Sequence, residues 1–253
     1  MQTRSHPRLF ALLVALWLSA CAGGNSGNDA QAVMQAVEPS LRAAAAAAEA
    51  ANDWQGATQH WRTLAVGHPG DLPIALSLAR ALRISGQPAE AAELMRNART
   101  AHPDDSAVLG ELGKDYLADD RSGPARKILE EATALAPQDG DLLSTLGVAL
   151  DLQGDSAQAQ ARFAQALALS PDNPAILNNL GLSQALAGDL AKAEASLRLA
   201  ADQPTSGAQI RQNLALILAL SGNARQAEHV AAKDLPPDLL RTNAAIYARL
   251  AGQ

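Results

Sequence analysis

The sequence has few of the residues on which disulfide bonding or nucleic-acid binding usually depends. Cys21 is the only cysteine among 253 residues, so no disulfide can form within the chain. Aromatic residues make up 3% of the chain, and 26 acidic residues outnumber 20 basic ones. Nucleic-acid binding needs a basic surface, and binding of single strands also needs aromatic stacking platforms. We therefore expect no nucleic-acid partner.

Long apolar runs are also absent, and the longest one lies near the start of the chain. Leu9 to Leu18 are almost wholly apolar and follow Arg4 and Arg8. This run is shorter than the ~20 residues of a membrane-spanning helix. A positively charged n-region, a short apolar h-region and small residues at the cleavage site are the parts of an export signal. We predict a signal peptide over residues 1–20, whose removal leaves 18 basic and 26 acidic side chains, a formal net charge of −8.

The sole cysteine follows this signal directly. The segment "LSAC", Leu18 to Cys21, resembles the bacterial lipobox, in which the cysteine is acylated and becomes the first residue of the mature protein. The resemblance implies that Cys21 carries lipid, and more than one acyl chain gives lasting membrane anchorage. Ala22 stands where aspartate would resemble an inner-membrane retention signal, which favours the outer membrane. Ordinary cleavage at a small-residue site and a buried apolar cysteine are the alternatives.

A repeat of fixed length organises the rest of the chain. Four prolines recur at intervals of 34 residues, which is the period of the tetratricopeptide helix pair: Pro69, Pro103, Pro137 and Pro171. The fourth unit has Gly147 on its first helix and Phe163 on its second. We predict an all-α fold, a right-handed α-solenoid of about six tetratricopeptide (TPR) helix pairs plus a C-terminal capping helix.

The domain boundaries follow from this period. Residues 21–37, rich in glycine, asparagine and alanine, are expected to be the lipidated cysteine and a flexible linker. The solenoid is predicted over residues 38–251, with a cap helix at 237–250. The predicted units are 38–71, 72–105, 106–139, 140–173, 174–207 and 208–235.

No pattern in the sequence is typical of catalysis or of metal binding. There is no HExxH motif, P-loop, GxSxG motif or glycine-rich dinucleotide turn. Paired carboxylates such as Glu130 and Glu131 fit a solvated helix face. We expect a protein that is not an enzyme and that has no metal and no cofactor.

A helical-pair array offers instead a groove lined by the first helix of each unit. We predict that partner-binding side chains lie there, and the candidates are Arg80, Lys114, Ser144, Thr145, Asn178, Asn179, Gln212 and Asn213. Asn179 and Asn213 are 34 residues apart and are expected to stack as a short ladder. Amide groups both donate and accept hydrogen bonds, which suits the capture of a peptide segment. The alternative is that these amides are solvated or bond locally.

The C-terminal part of the chain carries a family resemblance. The segments "LNNLGLSQALAGDLAKAEASLRLAA", "IRQNLALILALSGNARQAEHVA" and "KDLPPDLLRTNAAIYARL" lie between Leu177 and Leu250. Together with the lipobox, they resemble the TadD family of tetratricopeptide lipoproteins of tight-adherence (Flp) pilus assembly. The resemblance implies a lipid-anchored protein on the periplasmic face of the outer membrane. It also implies a pilotin-like role, with the outer-membrane secretin or another pilus assembly component as partner.

Two other functions remain open from the sequence. The same scaffold could serve as a lipoprotein adaptor for β-barrel assembly or for cell-wall enzymes, with a different client. It could also be a subunit of an enzyme, which bound metal or cofactor in the purified protein would reveal.

Overall fold

The computed structural model describes residues 26–252, in which thirteen α-helices follow one another without a β-strand. The helices are α1 (Ser26–Ala50), α2 (Trp54–Gly67), α3 (Leu72–Ile84), α4 (Pro88–Ala101), α5 (Ser106–Ala118), α6 (Ser122–Leu135), α7 (Gly140–Asp151), α8 (Ser156–Leu169), α9 (Pro174–Leu186), α10 (Leu190–Ala201), α11 (Ala208–Leu220), α12 (Ala224–Ala231) and α13 (Pro237–Ala251).

The helices form six pairs, each packed only against its neighbours. Every helix contacts the next one along the chain, and from α3 onward each odd-numbered helix also contacts the next odd-numbered helix. Helix α13 contacts both α12 and α11, so it takes the place of a seventh first helix. This pattern is the stacked helix-pair array of a solenoid, and the predicted fold class is confirmed.

Polar caps start the first helices at the same 34-residue interval. The side chains of Asp71, Asp105, Asp139 and Asn173 accept hydrogen bonds from backbone N–H groups in the first turns of α3, α5, α7 and α9. These N–H groups have no partner within the helix, and a cap residue contributes about 1 kcal/mol by satisfying one of them. Each cap lies two residues after one of the periodic prolines, so each of these first helices begins at the same distance from its proline.

The turn within each pair needs a left-handed backbone. One residue of every such turn has a positive φ, and these residues also lie 34 apart: Asn52, Gly86, Asp120, Gly154, Gly188 and Gly222. Glycine adopts this conformation without a steric penalty. Asn52 and Asp120, with φ of 58° and 56°, belong to the residue types that tolerate it best.

Close approach of the two helices in a pair depends on a second glycine. A Cβ atom on Gly147 would lie 2.6 Å from Cε1 of Phe163, which is fully buried. Gly113 faces Leu129 and Gly181 faces Leu197 in the same way. A larger residue at these glycines would overpack the pair by about 1–3 kcal/mol. The large side chain on the second helix therefore fills the space that the glycine leaves open.

The buried apolar side chains form two clusters along the array. One cluster of buried side chains extends from Leu78 to Ile176, and a second from Ala193 to Tyr247. Tyr247 belongs to α13, so the last helix covers the apolar edge of the sixth pair.

The expected linker differs from the structure over part of its length. Residues 26–37, predicted to be flexible, belong to α1, which continues to Ala50 as one helix. Residues 26–37 include three alanines and two glutamines, and both residue types are strong helix formers. Cys21 and the predicted signal peptide lie outside the described residues. Among residues 26–252, no helix has the length and apolar character needed to span a bilayer.

Candidate interaction surface

The first helices of pairs two to six form one continuous face. Each of α3, α5, α7, α9 and α11 contacts the next in this series, and we call the face that their side chains form the first-helix groove. Two clefts open on it. One of about 350 Å³ includes Arg80 and Lys114, and another of about 180 Å³ includes Val148, Leu182 and Leu186.

The N-terminal half of the groove contains a charged cluster that joins α3 to α5. Arg83 Nη2 donates to Glu111 Oε1 at 2.6 Å, and Arg83 Nε lies 3.1 Å from Asp115 Oδ1. Lys114 Nζ lies 3.8 Å from the other oxygen of Glu111. The side chain of Asp115 is fully buried, and its Oδ2 atom has no hydrogen-bond partner among the described residues.

Asp115 is held in its protonated form at neutral pH. Burial raises the pKa of its carboxyl group to about 8, and the nearby charge of Glu111 adds to the rise, while Arg83 opposes it. Desolvation disfavours a charged carboxylate in this way. Asp115 is therefore a neutral hydrogen-bonding neighbour of Arg83, whose guanidinium also donates to Glu111.

The two predicted basic residues of the groove differ in their exposure and in the side chains that they contact. Arg80 is exposed, and its Cζ atom lies 5.6 Å from the centre of the Trp54 ring, in range of a cation–π interaction. Lys114 is half-buried beside Glu111. Both side chains line the larger cleft with Ser77 and Leu76.

A chain of hydrogen-bonded amides crosses the C-terminal half of the groove. Asn213 Nδ2 donates to Asn178 Oδ1 at 2.8 Å, and Asn178 Nδ2 donates to Asn179 Oδ1 at 3.3 Å. Asn179 Nδ2 then donates to Ser144 Oγ at 3.3 Å. Four of the predicted residues are thus joined across α11, α9 and α7.

The amide side chains pair one residue away from the pairing expected for the ladder. Asn213 contacts Asn178 rather than Asn179, and both bonds between helices join residues that are 35 apart. The nearest side chain on the next first helix is therefore shifted by one residue from the 34-residue repeat. Thr145 Oγ1 donates to the backbone oxygen of Asp141 in its own helix, and Gln212 is exposed.

Sequence reasoning missed a set of exposed apolar side chains in the same half of the groove. Leu152, Leu186 and Leu220 are 60%, 72% and 41% exposed and recur every 34 residues. A second row at the same interval is formed by the half-buried Val148 and Leu182 and by Leu216, which is 42% exposed. Their spacing was the signal that could have revealed them. We call these six residues the leucine surface.

The opposite face of the array has its own cleft. An opening of about 580 Å³ lies between α6 and α8 and includes Thr133, Arg162 and Gln165. It contains none of the predicted binding residues. Among the described residues, no group of three or more His, Cys, Asp or Glu side chains could hold a metal ion.

Comparison with known sequences identifies the repeat. Two tetratricopeptide-repeat families match, one over residues 82–149 and the other over residues 145–208. Together these matches run from residue 82 to residue 208, just over half of the 253 residues. This chain is a tetratricopeptide-repeat protein. Such proteins are generally scaffolds that bind other proteins rather than catalysts. The comparison with curated proteins found no match.

Solved tetratricopeptide-repeat structures share the fold. TTC0263, a thermophilic TPR protein of Thermus thermophilus, is 26% identical with a TM-score of 0.61, covering 68% of this chain and 96% of that one. PilW, described as a widely conserved type IV pilus biogenesis factor, is 20% identical with a TM-score of 0.65, covering 78% and 91%. PilF of Pseudomonas aeruginosa is 17% identical with a TM-score of 0.58, covering 81% and 90%. The similarity to PilW and PilF concerns the fold alone.

Proposed function

We propose that this tetratricopeptide-repeat protein is a non-enzymatic scaffold on the periplasmic face of the outer membrane. In this proposal, acylated Cys21 anchors the chain, and the first-helix groove holds a segment of a protein partner. The observation that carries the proposal is the leucine surface, which lies beside the amide chain in one open groove.

The composition of the groove supports protein binding. Exposed apolar side chains that cluster on one face mark an interaction site more often than isolated ones do. The leucine surface supplies apolar contact, and the neighbouring Asn178 and Asn179 supply donors and acceptors for a peptide backbone. An apolar centre with polar neighbours is the usual anatomy of a protein interface.

Membrane anchorage strengthens such binding without further contacts. Holding the groove at one membrane raises its effective concentration near partners on that membrane. A modest affinity of the groove for its client is then sufficient. The basis for the anchor is the lipobox around Cys21, and Ala22 favours the outer membrane.

The client we propose is part of a pilus assembly system, with the outer-membrane secretin as the first candidate. The resemblance of residues 177–250 to TadD proteins supports a pilotin-like role in tight-adherence pilus assembly. The shared fold of PilW, described as a pilus biogenesis factor, is compatible with it.

Two measurements in cells test the anchor and the client. An alkyne-labelled fatty acid should be incorporated into the wild-type chain, whereas Cys21→Ala should remain unlabelled and leave the membrane fraction with its repeats folded. A wild-type chain that takes up no label would refute the anchor. Photo-crosslinking from position 179 should recover the secretin or another pilus component.

The alternative is a lipoprotein adaptor for β-barrel assembly or for cell-wall enzymes. It rests on the same groove and anchor and differs only in the client. Recovery of cell-wall enzymes without any pilus component from position 179 would favour this alternative and contradict the pilus role.

A further inference from the structure

We propose that the C-terminal half of the first-helix groove accepts an amphipathic α-helix whose apolar face is flanked at both ends by acidic residues. This inference rests on the proposed function, because it specifies the protein segment that the groove binds. It follows from the spacing of the leucine surface and from the charges at its two ends.

The leucine surface is a two-row apolar strip across three helices. Leu186 and Leu220 are the last residues of α9 and α11, and Leu152 directly follows the end of α7, so these three form one row. The second row lies four residues earlier, on α7, α9 and α11. Four residues are about one helical turn, so the two rows lie side by side. A partner that covers both rows needs a continuous apolar face rather than a single anchoring side chain.

The distance between the helices selects the conformation of that partner. Packed helices lie about 8–10 Å apart, and a helix advances about 1.5 Å per residue. At a spacing of about 10 Å, a partner helix that crosses α7, α9 and α11 meets the next leucine pair after about seven residues, and about seven residues return to nearly the same face of that helix. An extended strand advances about 3.3 Å per residue, so it would meet the next pair after about three residues with the opposite face.

Basic side chains follow the strip at its N-terminal end. Lys114 on α5 and Arg80 on α3 occupy the positions that continue the row of Val148, Leu182 and Leu216 at the 34-residue interval. Lys114 Nζ lies 3.8 Å from the Glu111 carboxylate, and the Arg80 guanidinium lies over the Trp54 ring rather than in an ion pair with a described residue. An acidic side chain on the partner would find both within reach.

The acidic groups near this end do not cancel its charge. Glu111 is engaged by Arg83 at 2.6 Å, and the neighbouring Asp115 carboxyl group is buried and protonated at neutral pH. Asp139 and Asp141 also line the larger cleft, but they lie at the start of α7, where the helix dipole offsets negative charge.

A basic residue also lies in the last turn of α13, the helix that packs beside α11 at the C-terminal end of the strip. Helix α13 packs against α11 as a further first helix, with Tyr247 buried in the shared core. Arg249 is exposed two residues after Tyr247, as Leu220 is two residues after the buried Leu218. Between the two ends, α9 has no charged residue, and the side chain of Asp151 accepts a hydrogen bond from Ser183.

Peptide binding to the full mature chain in detergent tests this inference. Three fluorescein-labelled peptides are compared by fluorescence anisotropy. Two are helical, with one identical leucine face and either acidic or basic flanks, and the third is a proline-rich peptide of equal length. We expect the acidic-flank peptide to bind about tenfold more tightly than the basic-flank peptide at low salt.

Variants of exposed residues locate the binding. Leu152→Asp with Leu186→Asp should weaken the acidic-flank peptide by about tenfold or more, because apolar burial is lost. The matched control is Leu169→Asp with Leu199→Asp, which alters exposed leucines on second helices and should leave affinity unchanged.

A charge exchange tests the two ends of the strip. Lys114→Glu with Arg249→Glu should weaken binding of the acidic-flank peptide and strengthen binding of the basic-flank peptide. Lys127→Glu with Arg225→Glu, on second helices, should do neither. Salt titration should reduce the preference for acidic flanks.

Several results would overturn the inference. These are no binding of the acidic-flank peptide, stronger binding of the basic-flank or proline-rich peptide, and an acidic-flank affinity that the leucine variant does not change. Fatty-acid labelling of Cys21 and crosslinking from position 179 test the proposed function independently, so the two can fail separately.

Discussion

The two halves of the first-helix groove share one architecture and differ in the side chains that they present. In the N-terminal half, α3 and α5 are joined by the charged cluster of Arg83, Glu111 and Asp115. In the C-terminal half, α7, α9 and α11 are joined by asparagine side chains beside the leucine surface. The 34-residue repeat thus determines where side chains lie, while their identity in each unit determines what the groove can bind.

The shared core is visible at equivalent positions of both halves. Gly113 faces Leu129 in the N-terminal half, and Gly147 faces Phe163 in the C-terminal half. This contact within the helix pair is therefore common to both halves, while the side chains of the groove differ. Each substitution below alters either this common core or the groove side chains that differ between the halves.

The largest effect is expected from the buried residue that faces the helix glycine. Phe163→Ala should lower the free energy of unfolding by about 3–5 kcal/mol, and Leu129→Ala by about 2–5 kcal/mol, because each leaves a cavity in a fully buried site. Urea unfolding followed by circular dichroism measures both. A loss below about 1 kcal/mol for either residue would contradict a common core for the two halves.

Asp115 should make stability depend on pH. Its pKa is raised to about 8 in the folded protein from an ordinary value near 3.8. The folded state therefore holds a proton that the unfolded state releases over this range, and stability falls as pH rises from about 4 to about 8. Between pH 5 and pH 8, the free energy of unfolding should fall more in the wild type than in Asp115→Ala. The two decreases should differ by about 1 kcal/mol or more.

Unfolding curves for both proteins at several pH values measure this difference. Alanine is a fitting replacement because Ala81 and Ala149 are buried at the equivalent positions of the neighbouring units. Parallel pH profiles for wild type and variant would show that the buried carboxyl group does not titrate as described.

A smaller effect is expected from the amide chain in the other half of the groove. Asn178→Ala removes the residue that joins Asn213 to Asn179, and should lower the free energy of unfolding by about 1 kcal/mol. Unlike the change at Asp115, this loss should be independent of pH between 5 and 8. Asn97→Ala, at an exposed site on α4, is the control and should change stability by less than about 0.5 kcal/mol.

The smallest effect on stability is expected at the most exposed leucine of the groove. Leu186→Ser should change the free energy of unfolding by less than about 0.5 kcal/mol, since this side chain is 72% exposed. Its effect should fall on binding instead. A large loss of stability would mean that Leu186 packs in the core, which would contradict its assignment to the groove surface.

The sequence was sufficient to predict the parts of the fold that follow the 34-residue period. The proline interval and the positions of Gly147 on the first helix and Phe163 on the second recur with the period, which a repeat pattern reports directly. The contact between Gly147 and Phe163 within one unit came from the structure, since the sequence placed Phe163 between units. The amide register was mispredicted because the offset between neighbouring first helices, 35 residues rather than 34, depends on how whole units stack. The helical state of residues 26–37 was also missed, since glycine and asparagine at the start of this stretch indicated a linker.

Exposure was harder to infer than position. The 34-residue spacing of Leu152, Leu186 and Leu220 marks them as equivalent positions, but leucines in a helical repeat usually belong to the core, so the spacing alone does not say that they are exposed. Asp115 posed the reverse problem, because a carboxylate on a helix usually indicates a solvated face. In both cases burial is decided by the neighbouring unit.

The most direct test of the central claim compares leucines on the two faces of the array. Photo-crosslinking in cells from position 179 is carried out in the full-length chain with Leu152→Asp and Leu186→Asp, and in the chain with Leu169→Asp and Leu199→Asp. The account expects the groove variant to lose the partner recovered by the wild type and the second-helix variant to keep it, with equal unfolding free energies. Retention of that partner by the groove variant would contradict the claim that the first-helix groove binds it.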